Sequence, residues 1–236
     1  MSGICARRLR YRWLVLRAGS SRSGSVLRAL AAGGAATLLT SWAVGRLLQN
    51  DSVTRPSRRL YDYCREHRSA ALSRRLDPVT AIGDYSVIGS FSALAGGMIA
   101  YERRDWRPLP LLAAGVVSEV YLQKALKRLV KGTKPPEEFS IGSPGDYPSG
   151  GAARTVITFG LLAHLLTQRW GSPAERRVIW SIATALIVAQ GGSRLYLGRH
   201  WPEDVAGGWL LGWLILQTLT RAGELMPAGG QAATGN

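Results

Sequence analysis

Long apolar runs alternate with short basic stretches along this chain, and that alternation leaves few folds open. About twenty predominantly apolar residues cross a bilayer as one helix. Six windows approach that length: about Leu30 to Leu48, Val79 to Tyr101, Leu109 to Leu126, Ala152 to Thr167, Val178 to Leu195 and Val205 to Leu219. The first carries Arg46 near its end and the second Asp84 near its start. Helices of soluble proteins carry a polar stripe at helical spacing; Ala93–Ala100 and Ile182–Ala189 show none. Several windows are rich in Ala and Gly, which lowers hydropathy but lets helices approach closely in lipid. The pattern predicts an all-α, polytopic membrane protein with six transmembrane helices in a bundle and a site at one membrane face.

Three regions follow: a basic N-terminal arm (residues 1–28), a membrane domain (29–221) and a flexible, Gly/Ala-rich C-terminal tail (222–236). The first apolar run follows seven arginines without an acid or an obvious cleavage site, so it reads as a retained helix rather than a leader. Cytoplasmic segments are enriched in Lys and Arg. The arm (Arg7, Arg8, Arg10, Arg12, Arg17, Arg22, Arg28) therefore reads as cytoplasmic, and six crossings return the C-terminus to that side. The segment Gln49–Asp77 falls outside, carries seven arginines and four acids, and fits a helix lying on the membrane surface. Cys5 and Cys64 then lie on opposite sides, so no internal disulfide is expected. Two cysteines also exclude a disulfide scaffold and a cysteine-based zinc module. A net charge of +15 calls for an anionic partner. The arginines flank hydrophobic spans, where topology and anionic lipid account for them, so nucleic acid is not the expected partner.

Three polar clusters fall on one face when the helices alternate direction. The first holds Lys124, Lys127, Arg128, Lys131 and Lys134 before Pro135-Pro136; the second is Tyr147-Pro148-Ser149-Gly150-Gly151; the third is Ser193-Arg194, then His200-Trp201-Pro202-Glu203-Asp204. Lysines and an arginine neutralise a multiply charged anion, and arginine binds phosphate bidentately. Ser149-Gly150-Gly151 precedes a helix, whose free N–H groups favour an anion. His200 and Asp204 are four apart, with Pro202 suited to the first helical turn. An imidazole held by a carboxylate has a fixed tautomer and greater basicity, which makes His200 a candidate nucleophile toward phosphorus. Asp84 is a further candidate; orienting one of the lysines and plain interfacial placement are its two readings.

These clusters resemble the signature of the type-2 phosphatidic acid phosphatase family, K-x6-R-P, P-S-G-H and S-R-x5-H-x3-D. The third part is complete in Ser193-Arg194 through His200 to Asp204. The first stands as Lys127, six residues, Lys134 and Pro135, with lysine for arginine; the second is Pro148-Ser149-Gly150-Gly151, with glycine for histidine. The resemblance implies a helical membrane phosphatase with no metal or other cofactor, its core shared with vanadium-dependent haloperoxidases. It implies that His200 attacks phosphorus to form a phosphohistidine and that Asp204 orients His200. It implies that Lys127, Lys134, Ser149, Gly150 and Arg194 bind the phosphoryl oxygens, with the Gly151 backbone beside them. The implied partners are a phosphorylated lipid substrate and the bilayer, at the extracytoplasmic side of the plasma membrane.

Two departures bear on activity. Lys134 keeps the charge but loses the planar fork of arginine. Gly151 removes the family's leaving-group acid, and general acid catalysis is typically worth about 10²–10⁴-fold. A lipid alkoxide needs that proton. A phosphate monoester leaving from a diphosphate needs it less, because its second pKa lies near about 6. Asp146, Tyr147, Glu137 and Glu138 are the nearby substitutes, and His164 lies too deep in its helix. The expected function is hydrolysis of an isoprenoid diphosphate or related lipid phosphate. The alternatives are a degenerate member that binds phosphorylated lipid or a partner without turnover, and a phosphoryl or headgroup transferase.

Overall fold

A computed structural model describes residues 3–143, 145–168 and 171–226, with side chains from Gly24 onward. Among the described residues the regular structure is entirely helical. The helices are α1 (Gly3–Leu48), α2 (Asp51–Glu66), α3 (Ala70–Ala81), α4 (Tyr85–Arg103), α5 (Pro108–Val130), α6 (Gly150–Thr167), α7 (Pro173–Tyr196) and α8 (Pro202–Leu225), with a 3-10 turn at Glu137–Phe139.

The first helix passes through residue 28 without a break, and α8 ends at Leu225. The arginines from Arg7 to Arg22, Cys5 and the tail from 227 lie outside the described side chains or residues. The second apolar window is shorter than its hydropathy implies. The chain turns at Ile82–Asp84 and α4 starts at Tyr85, because Asp84 adopts the extended N-cap conformation (φ −78°, ψ 149°). The segment Gln49–Asp77 forms parts of two helices rather than one. Ser69 caps α3 by accepting the Leu72 N–H, which starts a new helix after His67.

Among the described residues three helices are long and apolar enough to cross a membrane: the Gly24–Leu48 part of α1, α5 and α7. The sequences of α4, α6 and α8 are rich in Gly, Ser and Thr, which dilute hydropathy while permitting close packing. Gly212 of α8 shows the gain: a Cβ there would lie 2.5 Å from the Ala153 carbonyl oxygen of α6.

The centre of the bundle is α6, buried over nearly its whole length and packed against α8, α7, α5 and α4. Its core partners include Leu112 and Leu126 of α5 and Leu211, Ile215 and Leu219 of α8. The periphery is inverted relative to a water-soluble protein. Leu94 and Met98 of α4 are 70% and 68% exposed, and Tyr121, Ile182, Val188 and Trp213 also face outward, while Glu119, Arg154, Thr155 and Thr158 are buried. An outer surface of large apolar side chains suits hydrocarbon as solvent.

Candidate active site

The alternation of helix directions brings the C-termini of α5 and α7 and the N-termini of α6 and α8 to one end of the bundle, under α2 and α3. Backbone hydrogen bonds tie the connecting segments together there. The Ser149 N–H donates to the Asp204 carbonyl (2.9 Å), Gly145 N–H to Arg199 (2.7 Å) and Ile141 N–H to Leu197 (2.8 Å). Gly198, at φ +72°, supplies the left-handed residue that turns the chain from α7 toward His200. Pro202 opens α8, and Asp204 closes its first turn by accepting the Trp201 N–H at 3.0 Å.

The same carboxylate oxygen of Asp204 lies 3.4 Å from His200 Nδ1. This leaves Nε2 as the free nitrogen of the ring. His200 is buried, and Gly145 packs over its imidazole. Burial first, and then the Arg194 and Lys127 charges, hold the imidazole's proton affinity well below the ordinary histidine range. The ring is therefore neutral and carries a lone pair, the form a nucleophile needs.

Among the buried donors at this end without a hydrogen-bond partner in the described residues, Ser149 Oγ and Arg194 Nε belong to the signature clusters; Tyr61, Arg68, Ser73 and Thr80 of the covering α2–α3 region and Trp201 Nε1 are others. Buried polar atoms are normally paired, so an oxyanion would complete the donors of Ser149 and Arg194. Arg194 is anchored through Nη2, 3.3 Å from the Thr80 carbonyl and 3.5 Å from Asp84 Oδ1. Asp84 thus meets an arginine, where the sequence raised a lysine. Lys127 is half-buried and ion-paired with Asp146. Gly150 and Gly151 form the first turn of α6, with Ser149 as its N-cap.

Other sequence candidates stand apart. Lys134 is exposed, with no partner among the described residues. Tyr147 is buried and donates its hydroxyl to the Ser41 carbonyl of α1 (2.8 Å); burial and the Asp204 charge push that hydroxyl up to about 12. Glu137 and Glu138 are exposed in the 3-10 turn. His164 sits at the far end of α6, beside Gln168.

One buried pair carries no motif signal. Arg154 of α6 lies 3.2 Å from both carboxylate oxygens of Glu119 on α5, donates through Nε to the Gly83 carbonyl (2.8 Å), and stacks 3.6 Å from the Tyr85 ring centroid. Ionisable residues thirty-five positions apart reveal their pairing only when α5 and α6 are docked. An arginine one turn into an otherwise apolar helix was the available signal.

Residues 108–224 match the sequence model of the PAP2 superfamily, and this range contains all three polar clusters. The chain belongs to the PAP2 superfamily. It is 25% identical over 150 residues to phosphatidylglycerophosphatase B of Bacillus subtilis (strain 168), covering 63% of this chain and 73% of that protein. It is 39% identical over 67 residues to an undecaprenyl-diphosphatase of Sulfolobus acidocaldarius, covering 28% of each. Its fold matches the crystal structure of a transmembrane PAP2-type phosphatidylglycerolphosphate phosphatase from Bacillus subtilis. The TM-score is 0.73 and the identity 20%, over 82% of this chain and 97% of that one. The chain is thus a member of a family of membrane lipid phosphatases, with the family's helical fold.

Proposed function

We propose that this PAP2 protein is a six-pass lipid phosphatase that removes the terminal phosphate of an isoprenoid diphosphate or related lipid phosphate. The reaction takes place at the extracytoplasmic face of the plasma membrane. The observation that carries the reading is the buried His200–Asp204 pair, 3.4 Å apart, beside two unpartnered donors on Ser149 and Arg194.

His200 Nε2 attacks phosphorus and forms an N–P bond as the bond to the leaving oxygen breaks. Asp204 accepts the Nδ1 proton's hydrogen bond and stabilises the charge that develops on the ring. Ser149, Arg194 and Lys127 hold the phosphoryl oxygens, Arg194 as a fixed cation and Ser149 through its hydroxyl. Water then attacks the phosphohistidine, releasing inorganic phosphate and regenerating the neutral imidazole.

Glycine at 151 favours a diphosphate substrate. The leaving group is then a phosphate monoester, which departs without the proton an alkoxide requires. The names of the relatives, a phosphatidylglycerophosphatase and an undecaprenyl-diphosphatase, support a lipid phosphate of one of these two kinds.

The same Gly151 favours one other reading, a binding protein without turnover. Phosphate release by the detergent-solubilised chain separates them, with a prenyl diphosphate, a prenyl monophosphate and phosphatidate as substrates. Release from the diphosphate that is lost in His200→Ala is the expected result. No release from any substrate, with lipid binding retained, would establish the binding protein. Transfer to an acceptor other than water would appear as a phosphorylated acceptor in place of free phosphate.

A further inference from the structure

The turn between α3 and α4 reaches the site from a part of the chain that no signature motif covers. Four observations meet there. The Thr80 carbonyl accepts from Gln190 Nε2 and from Arg194 Nη2, each at 3.3 Å. Asp84 Oδ1 lies 3.5 Å from the same Nη2. Asp84 occupies the N-cap of α4, yet its side chain makes no capping hydrogen bond, although aspartate is a preferred capping residue. Its carboxylate is turned to the arginine instead. Finally, a Cβ on Gly83 would stand 2.9 Å from the Gly151 Cα, so the turn touches the α6 backbone at the residue where the family signature has histidine.

The space over Gly151 is also taken. A Cβ built there would lie 2.5 Å from Arg194 Cζ and 2.6 Å from Nε. The guanidinium therefore occupies the volume that any side chain at 151 needs. It is the far end of a flexible side chain, so a substitution at 151 would displace it rather than unfold the helix.

We propose that the α3–α4 turn is a wall of the phosphate site, with Asp84 and the Thr80 carbonyl as positioning groups. They set the Arg194 guanidinium over Gly151 with its Nε directed to the phosphoryl oxygens. The inference rests on Arg194 as a phosphate ligand, part of the reading above, but not on turnover. Arg194 holds two anchors on one nitrogen and leaves Nε, the unpartnered donor, for the ligand. Glycine at 151 belongs to the same arrangement. It is the residue that admits the guanidinium, so restoring the family histidine moves Arg194 instead of supplying an acid.

The test compares Asp84→Asn, Asp84→Ala and Asp84→Glu in the full-length detergent-solubilised protein. The readouts are equilibrium binding of inorganic phosphate and steady-state kinetics on a prenyl diphosphate. Losing one charged hydrogen bond to Arg194 is expected to weaken phosphate binding and raise KM by about tenfold in the Asn and Ala variants. In the same variants kcat is expected to fall by less than the loss on removing Arg194 itself, because the guanidinium keeps its Thr80 anchor and His200 and Asp204 are untouched. Glu at 84 recovers most of the binding. Gly151→His binds phosphate more weakly than wild type and gains no turnover, with its thermal midpoint close to wild type. Phosphate affinity and KM within about twofold of wild type in Asp84→Ala would overturn the proposal. So would Gly151→His with raised turnover and unchanged phosphate affinity. Failure of the lipid phosphatase reading looks different: phosphate release is absent, or survives His200→Ala, while the dependence of phosphate binding on Asp84 stands.

Discussion

Both ends of α6 hold closed ion pairs, Lys127–Asp146 and Arg154–Glu119 at the N-terminal end and Arg107–Asp105 at the C-terminal end, but they differ in what is left open. At its C-terminal end the charges are closed on one another. Arg107 donates through Nε to both Asp105 carboxylate oxygens, at 3.0 and 2.8 Å, and lies 2.6 Å away through Nη2. Arg103 donates to the Leu165 carbonyl, capping the last turn of α6. At the N-terminal end Arg194 is held at long range by Asp84, and Ser149 and Arg194 keep donors without partners. Closed pairs serve the fold. An open set of donors around a neutral imidazole is a place for an oxyanion. Positive charge alone does not identify a site; unpartnered donors beside the His200–Asp204 pair point to one.

The sharpest way to break that comparison is His200→Ala, expected to reduce phosphate release by about 10³-fold or more while leaving inorganic phosphate binding in place. Arg194→Ala follows; loss of a main oxyanion donor is expected to cost about 10²–10³-fold in turnover, measured on the same diphosphate. Third is the buried Arg154–Glu119 pair. Removing either partner leaves an uncompensated buried charge and is expected to destabilise by about 3–5 kcal/mol, read as a lower thermal midpoint in detergent. Smaller is the pH effect. His200 has its proton affinity lowered by burial and by Arg194, so the neutral nucleophile persists below the ordinary histidine pKa of about 6.5. Burial pushes the partner carboxyl of Asp204 up to about 8, so the acid limb of kcat/KM belongs to the coupled pair and is expected between that value and the lowered one of the imidazole. The stability linked to His200 is complete above the unfolded pKa and is lost as pH falls toward the folded one. The smallest effect belongs to the far end. Asp105→Asn is expected to cost at most about 1 kcal/mol, since Arg107 is about a third exposed, and to leave turnover unchanged. A large loss of activity there would erase the contrast between the two ends.

The signature residues were legible because chemistry ties them to short spacings. His200 and Asp204 share one helical turn, and Ser149 sits where a glycine pair opens a helix. The apolar windows located α1, α5, α6, α7 and α8 to within a few residues at most ends, since hydrocarbon-facing and core-facing side chains are both apolar. The second window failed at its start for the same reason. Val79, Ala81 and Ile82 read as membrane helix, while Gly83 and the extended Asp84 make a turn there. The windows located helices but not a count of crossings, because Gly and Ser in α4 and Gly in α8 lower hydropathy without exposing the chain to water.

The sequence alone determined the helical class, the polar end of the bundle, the spacing of His200 and Asp204 and the two departures at Lys134 and Gly151. Those features depend on residue type and on separations within one or two turns. Only the tertiary structure decided which charges are spent and which remain. It paired Asp84 with Arg194 across 110 positions and Glu119 with Arg154 across 35. It tied Tyr147 to Ser41, left Lys134 in solvent and filled the space over Gly151 with a guanidinium. Ion pairs and excluded volume act over a few ångströms in space, and the helix docking that creates those distances has no counterpart in sequence spacing.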